Sequence, residues 1–494
     1  AAFVAPVAPP ASMTAADSFR FLNLEARCAT ARDWNDPCRA ALWTYLLHYF
    51  DDLNSQSAEQ RRGWHRELLQ RWIAENPPGT GPGWDPYPVS RRIINWVKWQ
   101  FAGNELSAEI DHSLAVQMRW LARRLEVHLL GNHLLANAKA LVFAGGYFGG
   151  AEGDRYLAQG LGLLREQLRE QVLADGGHFE LSTMYHAATL EDLLDVLNLL
   201  QAIGHVTPEE WWDAAGRMWQ WLAVMSHPDG GISFFNDAAL GVAPDVAELA
   251  AYAARLGRAE SPAPPTGLRL LRDSGYGALC AGDLRVLADC AAVGPDYLPA
   301  HGHADTLSFE LSVGAQRVIV NSGTSQYGNG LQRQRERGTA AHNTVSVDGR
   351  DSSEVWGGFR VARRARVSDV RAESGVPVRL QASHDGYRRL PGRNVHTRRW
   401  TLVESCLTIE DHLSGTCSSA EAHFHLHPAI GVSRSGDRVF DVNLGSRGAR
   451  LSFESGRIDL RRGHWHPRFG ESVSNQHLVA SLADGALVTR FELI

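Results

Sequence analysis

The sequence lacks the long apolar segment that a membrane-spanning helix needs. No run of about eighteen or more consecutive apolar residues occurs in the chain. An excess of basic residues is also missing, since the net charge of the 494 residues is −6, which argues against wholesale attraction to a polyanion. We therefore expect neither a membrane nor a nucleic-acid partner, and any anionic ligand must be bound by a local basic cleft.

Cysteine is scarce, and its spacing excludes the CxxC pattern of common zinc sites. The six cysteines form three loose sequence pairs, Cys28 and Cys38, Cys280 and Cys290, and Cys406 and Cys417. A core of the size that this length allows needs no disulfide bonds, so we expect reduced, buried thiols. The first residues, AAFVAPVAPPAS, lack a methionine and a charged start. We interpret them as a mature or trimmed end and expect a periplasmic or secreted location.

Apolar residues recur at helical spacing through the first half of the chain. The clearest stripe begins at Ile110 and continues through Leu114, Met118, Leu121, Leu125 and Leu129, which predicts one long helix. Similar stripes cover residues 38–54, 58–75, 133–144, 155–173, 186–203 and 207–224. So many helices in succession predict helical hairpins packed in a ring or an array.

The period changes to two beyond the Pro-rich segment SPAPPTG, residues 261–267, which we take as a linker. Apolar and polar residues alternate from Leu307 to Val313, and again in segments around 400–409 and 424–426. This pattern predicts stacked antiparallel sheets. The predicted domains are an N-terminal extension over 1–37, an α-helical domain over 38–260 and a β-sandwich over 268–494.

Two clusters of polar residues in the helical half carry candidate chemistry. The segment GNHLLANAKAL places Asn132 and His133 at the start of a helix, where Asn is also a favoured N-cap. The segment DGGHFELSTMYH brings Tyr185 and His186 to another helix start, and loops that end in a helix often present polar side chains to a cleft. Tyr185 also fits a half-buried structural aromatic.

Two further clusters follow in the predicted sheet domain. In HGHADTLSFEL, His301 and His303 are two residues apart, and side chains at that spacing in an extended chain point to one face. The segment QRQRERGTAAHNTVSVDGR contains Arg333, Arg337 and His342. Such dense arginines are typical of a solvated face and also of carboxylate or sulfate recognition.

Together these motifs resemble the heparinase II/III family of polysaccharide lyases and the related alginate and oligoalginate lyases. The resemblance rests on NHLLANAKAL, GGHFELSTMYH, HGHADTLSFELSVGAQRVIVNSGT and AAHNTVSVDG, which occur in the family's order. It implies an incomplete (α/α) toroid followed by an antiparallel β-sandwich, in agreement with the change of period. It also implies β-elimination of an acidic polysaccharide that contains uronic acid, either a glycosaminoglycan such as heparan sulfate or an alginate-like polymer or exopolysaccharide.

The resemblance assigns catalytic roles to four residues. Asn132, together with His133, would neutralise the uronate carboxylate. Tyr185 would be a catalytic acid and also a candidate base, and His301 would be the second proton-transfer residue. Which of the two removes the C5 proton stays open, because this depends on whether the proton and the leaving group are syn or anti.

The resemblance further implies one structural divalent metal, zinc or manganese or calcium. The implied ligands are His303, Asn321 and His342. Family members carry an Asp at the position of Asn321, and an amide oxygen is a weaker ligand for a divalent ion than a carboxylate.

Substrate contacts are expected from aromatic residues, which offer platforms for sugar rings, and from arginines, which bind carboxylate or sulfate. The candidates are Tyr87, Arg91, Asn95, Trp96, His186, Arg333 and Arg337. Trp96 also fits the core of a helical domain.

Two other functions remain open. A glycoside hydrolase would need two carboxylates that flank the scissile bond, for which Glu180 and Asp237 are candidates, but this leaves the Asn, Tyr and His set without a role. A non-catalytic glycan-binding or exopolysaccharide-assembly protein would keep the fold and lose turnover. Asn321 favours that second alternative, whereas an intact Tyr185 and His301 oppose it.

Overall fold

The structure is a computed structural model that describes residues 2–258, 265–445 and 447–494. The first four residues of the predicted linker 261–267 lie outside the described residues. Contacts divide the chain into two compact units, each built from three segments. The first unit comprises Ala1–Gln171, Thr189–Ala215 and Glu248–Glu260, and the second comprises Val172–Ala188, Gly216–Ala247 and Ser261–Ile494.

Ten α-helices occur in the described residues, and nine of them precede the sheet-rich half. They are α1 (Ala41–Tyr49), α2 (Arg62–Glu75), α3 (Pro86–Phe101), α4 (Ala108–Ala122), α5 (Gly131–Phe148), α6 (Gly150–Gln171), α7 (Thr183–Ala202), α8 (Glu209–Val224), α9 (Val246–Arg255) and α10 (Leu331–Arg337). No helix in the described part of the chain has the length and apolar character needed to cross a membrane.

Helix α4 is shorter than its apolar stripe predicts. It begins after Ser107, whose Oγ accepts a hydrogen bond from the backbone N–H of Ile110 at 3.3 Å, and it ends at Ala122. The backbone N–H of Glu126 then donates to the side-chain oxygen of Asn137 at 2.8 Å. Because the Glu126 N–H bonds to a side chain of α5, it is not part of a continued helix α4. The predicted continuation of the helix to Leu129 is therefore wrong.

Small residues allow α5 and α6 to pack closely in the first unit. A Cβ atom at Gly160 would lie 2.8 Å from the carbonyl oxygen of Ala138, and one at Gly145 would lie 2.7 Å from that of Gly153. Glycine is therefore required where the two backbones meet. Gln171 of α6 ties down the first turn of α5, which carries Asn132 and His133, by donating through Nε2 to the carbonyl oxygen of Gly131 at 3.0 Å.

The described residues contain 22 strands, and all pairs between them are antiparallel. They are β1 (Met13–Ala15), β2 (Ser18–Phe21), β3 (Leu24–Arg27), β4 (Gly267–Leu271), β5 (Tyr276–Ala281), β6 (Leu284–Asp289), β7 (Phe309–Val313), β8 (Gln316–Ile319), β9 (Val345–Val347), β10 (Glu354–Trp356), β11 (Arg360–Ala362), β12 (Val367–Glu373), β13 (Val378–His384), β14 (Val395–Val403), β15 (Cys406–Ser414), β16 (Ala420–His425), β17 (Gly431–Gly436), β18 (Val439–Asn443), β19 (Gly448–Phe453), β20 (Ile458–Trp465), β21 (Val473–Ser481) and β22 (Ala486–Leu493).

The second unit stacks three of the sheets around one apolar core. Their strand orders are β4-β5-β6-β7-β8, β12-β13-β14-β15-β22-β19-β18-β17 and β20-β21-β16-β9. Buried residues of all three form one cluster, which includes Phe309 of β7, Trp400 of β14 and Phe424 of β16. The alternation read around residues 400–409 is a hairpin of two strands, β14 and β15, and not one segment. Leu307 precedes β7 and is not part of it.

The units do not coincide with the predicted domains in two places. Residues 172–188 and 216–247 belong to the second unit, because hydrogen bonds join them to strands of that unit. The hydroxyl of Tyr276 donates to the carbonyl oxygen of Leu181 at 2.7 Å, and Trp221 Nε1 donates to Ser274 Oγ at 2.8 Å. The segment 1–37 is also no separate extension, since it forms the sheet β1-β2-β3 within the first unit.

All six cysteines are free thiols, as predicted, but their burial differs from the expectation. Cys28 and Cys290 are buried, Cys280 and Cys406 are partly exposed, and Cys38 and Cys417 are exposed.

Candidate active site

A single carboxylate, Asp237, organises the polar cluster of the second unit. Its side chain is fully buried. Oδ2 accepts a hydrogen bond from Arg333 Nη2 at 2.7 Å and lies 2.9 Å from His301 Nδ1. Oδ1 bonds to Arg333 Nη1 and lies 2.9 Å from His303 Nε2. Burial alone raises the pKa of Asp237, but the Arg333 guanidinium and the two histidines outweigh it and hold that pKa well below its ordinary value.

His301 lies between two carboxylates and against Tyr185. Its Nδ1 is bound to Asp237, and its Nε2 lies 3.4 Å from Glu180 Oε2. The ring centroids of His301 and Tyr185 are 4.0 Å apart. The bond to Asp237 fixes the proton on Nδ1 and the plane of the ring, which leaves Nε2 for proton transfer.

Tyr185 lies in the first turn of α7 and its hydroxyl is paired with that of Tyr327. The two Oη atoms are 2.9 Å apart, and Tyr185 is half-buried. Burial, reinforced by Tyr327, raises the pKa of Tyr185 well above its ordinary value. The phenol therefore keeps its proton near neutral pH, which suits a proton donor.

Hydrogen bonds tie the start of α7 to the Asp237 and His301 segments. Ser182 Oγ accepts from the backbone N–H of Tyr185 at 3.2 Å and donates to the carbonyl oxygen of Asp237. The backbone N–H of Asp237 donates to the carbonyl oxygen of His301 at 3.1 Å. Hydrogen bonds thus hold side chains from three separate segments in one arrangement.

The prediction that His301 and His303 share one face agrees with their contacts, because both bind Asp237. These contacts exclude Asp237 as one of the two catalytic carboxylates of a glycoside hydrolase. Both of its oxygens are occupied and the side chain has no solvent exposure, so it cannot flank a glycosidic bond as a free carboxylate.

The three predicted metal ligands do not form a matching donor set. His303 Nδ1 lies 3.1 Å from His342 Nε2, and His342 Nδ1 lies 2.8 Å from the carbonyl oxygen of Gly338. Burial lowers the pKa of His303 to about 4 and that of His342 to about 3. Two facing imidazoles alone supply too few ligands for a structural zinc.

Asn321 is engaged elsewhere. Its Oδ1 accepts from the backbone N–H of Asn343 at 3.0 Å and from Asn343 Nδ2 at 3.2 Å, while its own Nδ2 donates to the carbonyl oxygen of Phe234 at 3.0 Å. Both acceptor positions of the amide oxygen are occupied. Among the described residues, no group of three or more His, Cys, Asp or Glu side chains has the geometry to hold a metal ion. The residues present therefore do not fit the divalent ion that the resemblance implies.

Three predicted substrate contacts of the second unit are buried structural residues. His186 is bound through Nε2 to the carbonyl oxygen of Met218 at 2.8 Å and stacks on Trp221. Arg333 is bound to Asp237, and Arg337 donates to the carbonyl oxygen of Gly302 at 2.9 Å. All three have zero exposed area, so a ligand cannot reach them.

In the first unit, Tyr87, Arg91, Asn132 and His133 retain partial exposure. The Tyr87 and His133 rings are 4.6 Å apart, and His133 Nδ1 lies 2.9 Å from Glu126 Oε1. Asn132 lies within the first turn of α5, one residue after Gly131, and is not its N-cap. Its side chain makes no hydrogen bond within the described residues, so its amide is available to a ligand.

The other two candidates of the first unit are buried. Trp96 has no exposed area and packs in an aromatic cluster with Phe50 and Trp72. Asn95 Nδ2 donates to the Tyr49 carbonyl oxygen at 2.9 Å and to Asp51 Oδ1 at 2.7 Å. Their roles are structural, because the amphipathic helix α3 turns this face inward.

Sequence reasoning missed two members of the site. Tyr327 was not singled out, although a tyrosine in the Gly-rich segment NSGTSQYGNG after a strand was a usable signal. Asp237 was considered only as a hydrolase carboxylate. Its partners are 64 and 96 residues away in sequence, and no local pattern reveals them.

Two family models match the chain in succession. Heparinase II/III N-terminus matches residues 34–254, and Heparinase II/III-like, C-terminal matches residues 263–491. The chain belongs to the heparinase II/III family of polysaccharide lyases. Both halves of the predicted resemblance are thereby confirmed.

Individual relatives are more distant. FtsZ-localized protein C of Caulobacter vibrioides is 29% identical over 426 residues, which cover 80% of this chain and 71% of that protein. A heparin-sulfate lyase of Bacteroides thetaiotaomicron is 24% identical over 400 residues, which cover 68% of this chain and 54% of the lyase. The chain therefore spans little more than half the length of that lyase.

The fold is shared with a solved heparinase III. Its crystal structure superposes with a TM-score of 0.76 at 17% identity, and the match covers 96% of this chain and 79% of the other. The predicted fold class, an incomplete (α/α) toroid followed by an antiparallel β-sandwich, is confirmed.

Proposed function

We propose that this heparinase II/III family member cleaves a uronic-acid-containing polysaccharide by β-elimination. The observation that carries the proposal is the contact between Tyr185 and His301, with His301 oriented by buried Asp237. A base removes the C5 proton, the electron pair forms the C4–C5 double bond, and the C4–O bond breaks. An acid protonates the departing oxygen, and the new end is an unsaturated uronate.

The charges around the two side chains support His301 as the base and Tyr185 as the acid. Tyr185 has a raised pKa and so carries the proton that the leaving oxygen needs. When His301 accepts a proton it becomes positively charged, and the carboxylates of Asp237 and Glu180 both face its ring nitrogens. Those carboxylates stabilise the imidazolium that forms.

Asn132 and His133 supply the electrophilic assistance in this proposal. Removal of the C5 proton places negative charge on the uronate carboxylate, and donors that meet this charge lower the barrier. The amide of Asn132 is free to donate, and the contact of His133 Nδ1 with Glu126 Oε1 at 2.9 Å holds the imidazole ring beside it.

The polymer that fits best is an acidic glycosaminoglycan. Support comes from the relatives named heparin-sulfate lyase, which match 68% of this chain in one case. Alginate-like polymers and exopolysaccharides carry the same C5 proton beside a carboxylate and belong in the same test.

Ultraviolet absorbance of unsaturated uronate ends tests the proposal. Heparan sulfate, hyaluronan, chondroitin sulfate, alginate and glucuronan are incubated with the wild type and with Tyr185→Phe and His301→Ala. We expect absorbance to rise for at least one polymer and to be lost in both variants. The controls Tyr156→Phe and His464→Ala change the same residue types outside the site and should keep the wild-type rate.

A non-catalytic glycan-binding or assembly protein is the second candidate. It is supported by the similarity to FtsZ-localized protein C, whose name describes a location and not a cleavage, over 80% of this chain. Binding of a polymer without any rise in absorbance or in reducing ends would establish this candidate and exclude the lyase.

A further inference from the structure

A short hairpin beside His301 presents exposed aromatic side chains. Strands β10 and β11 pair with each other only, and Gly357, Gly358 and Phe359 connect them. Trp356 is 57% exposed and Phe359 is 40% exposed. The Phe359 ring lies 5.9 Å from that of His301 and 5.2 Å from that of Tyr327. Exposed aromatic rings are costly in water and are enriched where a protein binds a ligand.

Two buried arginines connect this hairpin by hydrogen bonds to the chain segment around His301. Arg337 donates to the carbonyl oxygens of Gly357 and Arg360 at 3.1 Å each and to that of Gly302 at 2.9 Å. Arg333 donates through Nε to the carbonyl oxygen of Gly358 at 3.1 Å while it holds Asp237. Charge-assisted bonds of this kind are among the stronger ones in proteins. The hairpin and the candidate catalytic histidine are therefore one fixed assembly.

The turn of the hairpin is also bound to the loop that carries Tyr327. The backbone N–H of Gly358 donates to Asn329 Oδ1 at 2.6 Å. Gly357 has a φ of +56°, and a Cβ at Gly358 would lie 2.8 Å from the carbonyl oxygen of Gly328. The positive φ favours glycine at 357, and the close approach to Gly328 requires glycine at 358. The exposed rings are thus held in place and do not belong to a loose loop.

A free positive charge stands beside the exposed indole. Trp356 and Arg360 are directly opposite each other in the hairpin, and side chains opposite each other in an antiparallel pair lie on one face. The Arg360 side chain is exposed and has no ion pair or side-chain hydrogen bond within the described residues. In contrast, the guanidinium groups of Arg333 and Arg337 are buried and donate hydrogen bonds to other groups of the protein.

We infer that the hairpin Glu354–Ala362 is a subsite for an acidic sugar residue. Trp356 and Phe359 offer apolar faces to a pyranose ring, and Arg360 pairs with the anionic group of the sugar. Aromatic stacking with a neighbouring cation is the combination that recognises such a residue. The inference rests on the proposed function only for the identity of the polymer.

Steady-state kinetics test the subsite on the polymer that the wild type cleaves. We expect Trp356→Ala and Arg360→Gln each to raise KM about tenfold, the loss of one charge-assisted or stacking contact, while kcat stays within about twofold. Arg462→Gln removes an equally exposed, unpaired charge from β20 and should leave KM unchanged. An unchanged KM in Trp356→Ala and Arg360→Gln would overturn the inference.

Equilibrium binding separates this inference from the proposed function. Binding of heparan sulfate and of its unsulfated counterpart is measured by calorimetry with Tyr185→Phe, alone and combined with Arg360→Gln or Trp356→Ala. A loss of affinity of about tenfold in both double variants supports the subsite even if no polymer is cleaved. Equal affinity in all three proteins overturns the subsite and leaves the lyase proposal intact.

The two polymers distinguish the anionic group that Arg360 meets. If the group is the uronate carboxylate, Arg360→Gln weakens binding of both polymers by the same factor. If it is a sulfate, only heparan sulfate loses affinity. Either result supports an acidic-sugar subsite and names its anion.

Discussion

In the first unit two buried lysines face the buried Asp195, whereas in the second unit the buried Asp237 faces an arginine and two histidines. Lys139 Nζ lies 2.6 Å from Asp192 Oδ1 and 2.5 Å from Asp195 Oδ2, and Lys98 Nζ lies 2.5 Å from the same Asp195 oxygen. Burial by itself raises the pKa of Asp195, but the two lysines outweigh it and lower that pKa to about 2. Asp195 and Lys139, whose pKa is raised by the neighbouring aspartates, are therefore both charged at neutral pH.

The second unit differs because the partners of its buried aspartate include two histidines. Asp237 keeps its charge through Arg333, and this fixed charge orients His301. The comparison teaches that buried charge stabilises a framework in the first unit, whereas in the second unit it orients the histidine to which the proposed mechanism gives proton transfer. Removing the two aspartates should therefore have different consequences.

The largest effect is expected for Asp237→Asn, matched with Asp195→Asn. Each variant leaves a buried cation short of its partner, which costs roughly 3–5 kcal/mol of unfolding free energy. Only Asp237→Asn should also abolish turnover, because it releases His301. Urea denaturation and the rate per folded molecule check this pair. A normal rate in folded Asp237→Asn would contradict the role given to that residue.

The next largest effect is expected on acidification, which should lower the stability of the parts of the second unit that carry buried histidines. Burial lowers the pKa of His186 and of His425 to about 4 and that of His423 to about 3. The unfolded chain protonates these residues below a pH of about 6.5, whereas the folded chain resists until about pH 4. Each contributes stability that is full above pH 6.5 and falls by up to ~1.4 kcal/mol per pH unit below it.

Hydrogen exchange followed by mass spectrometry between pH 7 and pH 5 locates this loss. We expect strands β16 and β21, which carry His423, His425 and His477, to lose protection before α5, which carries Lys139. Helix α1 of the first unit carries buried His48, whose pKa burial lowers to about 3, so α1 should lose protection together with β16 and β21. An equal loss of protection in α5 would contradict the role given to the buried histidines.

The sequence predicted what depends on periodicity and on motifs that fold locally. The helices, the change to strands and the pairing of His301 with His303 on one face follow from spacing alone. The end of α4 did not follow, because a side chain on another helix, Asn137, takes up the Glu126 N–H. The interval between Trp400 and Ile409 also hides a turn that alternation cannot reveal.

Burial of charge was the main obstacle to predicting the site. In the sequence, Arg333 and Arg337 resemble residues that bind an anionic ligand. In the structure their guanidinium N–H groups donate instead to Asp237 and to the carbonyl oxygens of Gly302 and Gly357. These partners lie on other segments of the chain. A guanidinium that binds a ligand and one that binds the protein have the same sequence signature, and only the fold separates them.

A smaller effect is expected at Asn321, whose side-chain amide bonds to Asn343 and to the carbonyl oxygen of Phe234. Asn321→Asp places a carboxylate oxygen against the Phe234 carbonyl oxygen, which we expect to cost ~1–3 kcal/mol. The wild type should contain less than about 0.1 zinc per chain by mass spectrometry and keep its melting temperature in chelator. One bound metal per wild-type chain would contradict this, and metal uptake by the variant alone would support it.

The smallest effect is expected at the surface, where the two units should behave alike. Arg119 pairs with Glu152 in the first unit and Arg450 with Asp441 in the second, and all four side chains are more than a third exposed. Water screens such pairs and holding them costs side-chain entropy. Arg119→Ala and Arg450→Ala should therefore leave the urea midpoint unchanged within error. A shift in one unit only would mean that the difference between the units extends to the surface and does not arise from buried charge alone.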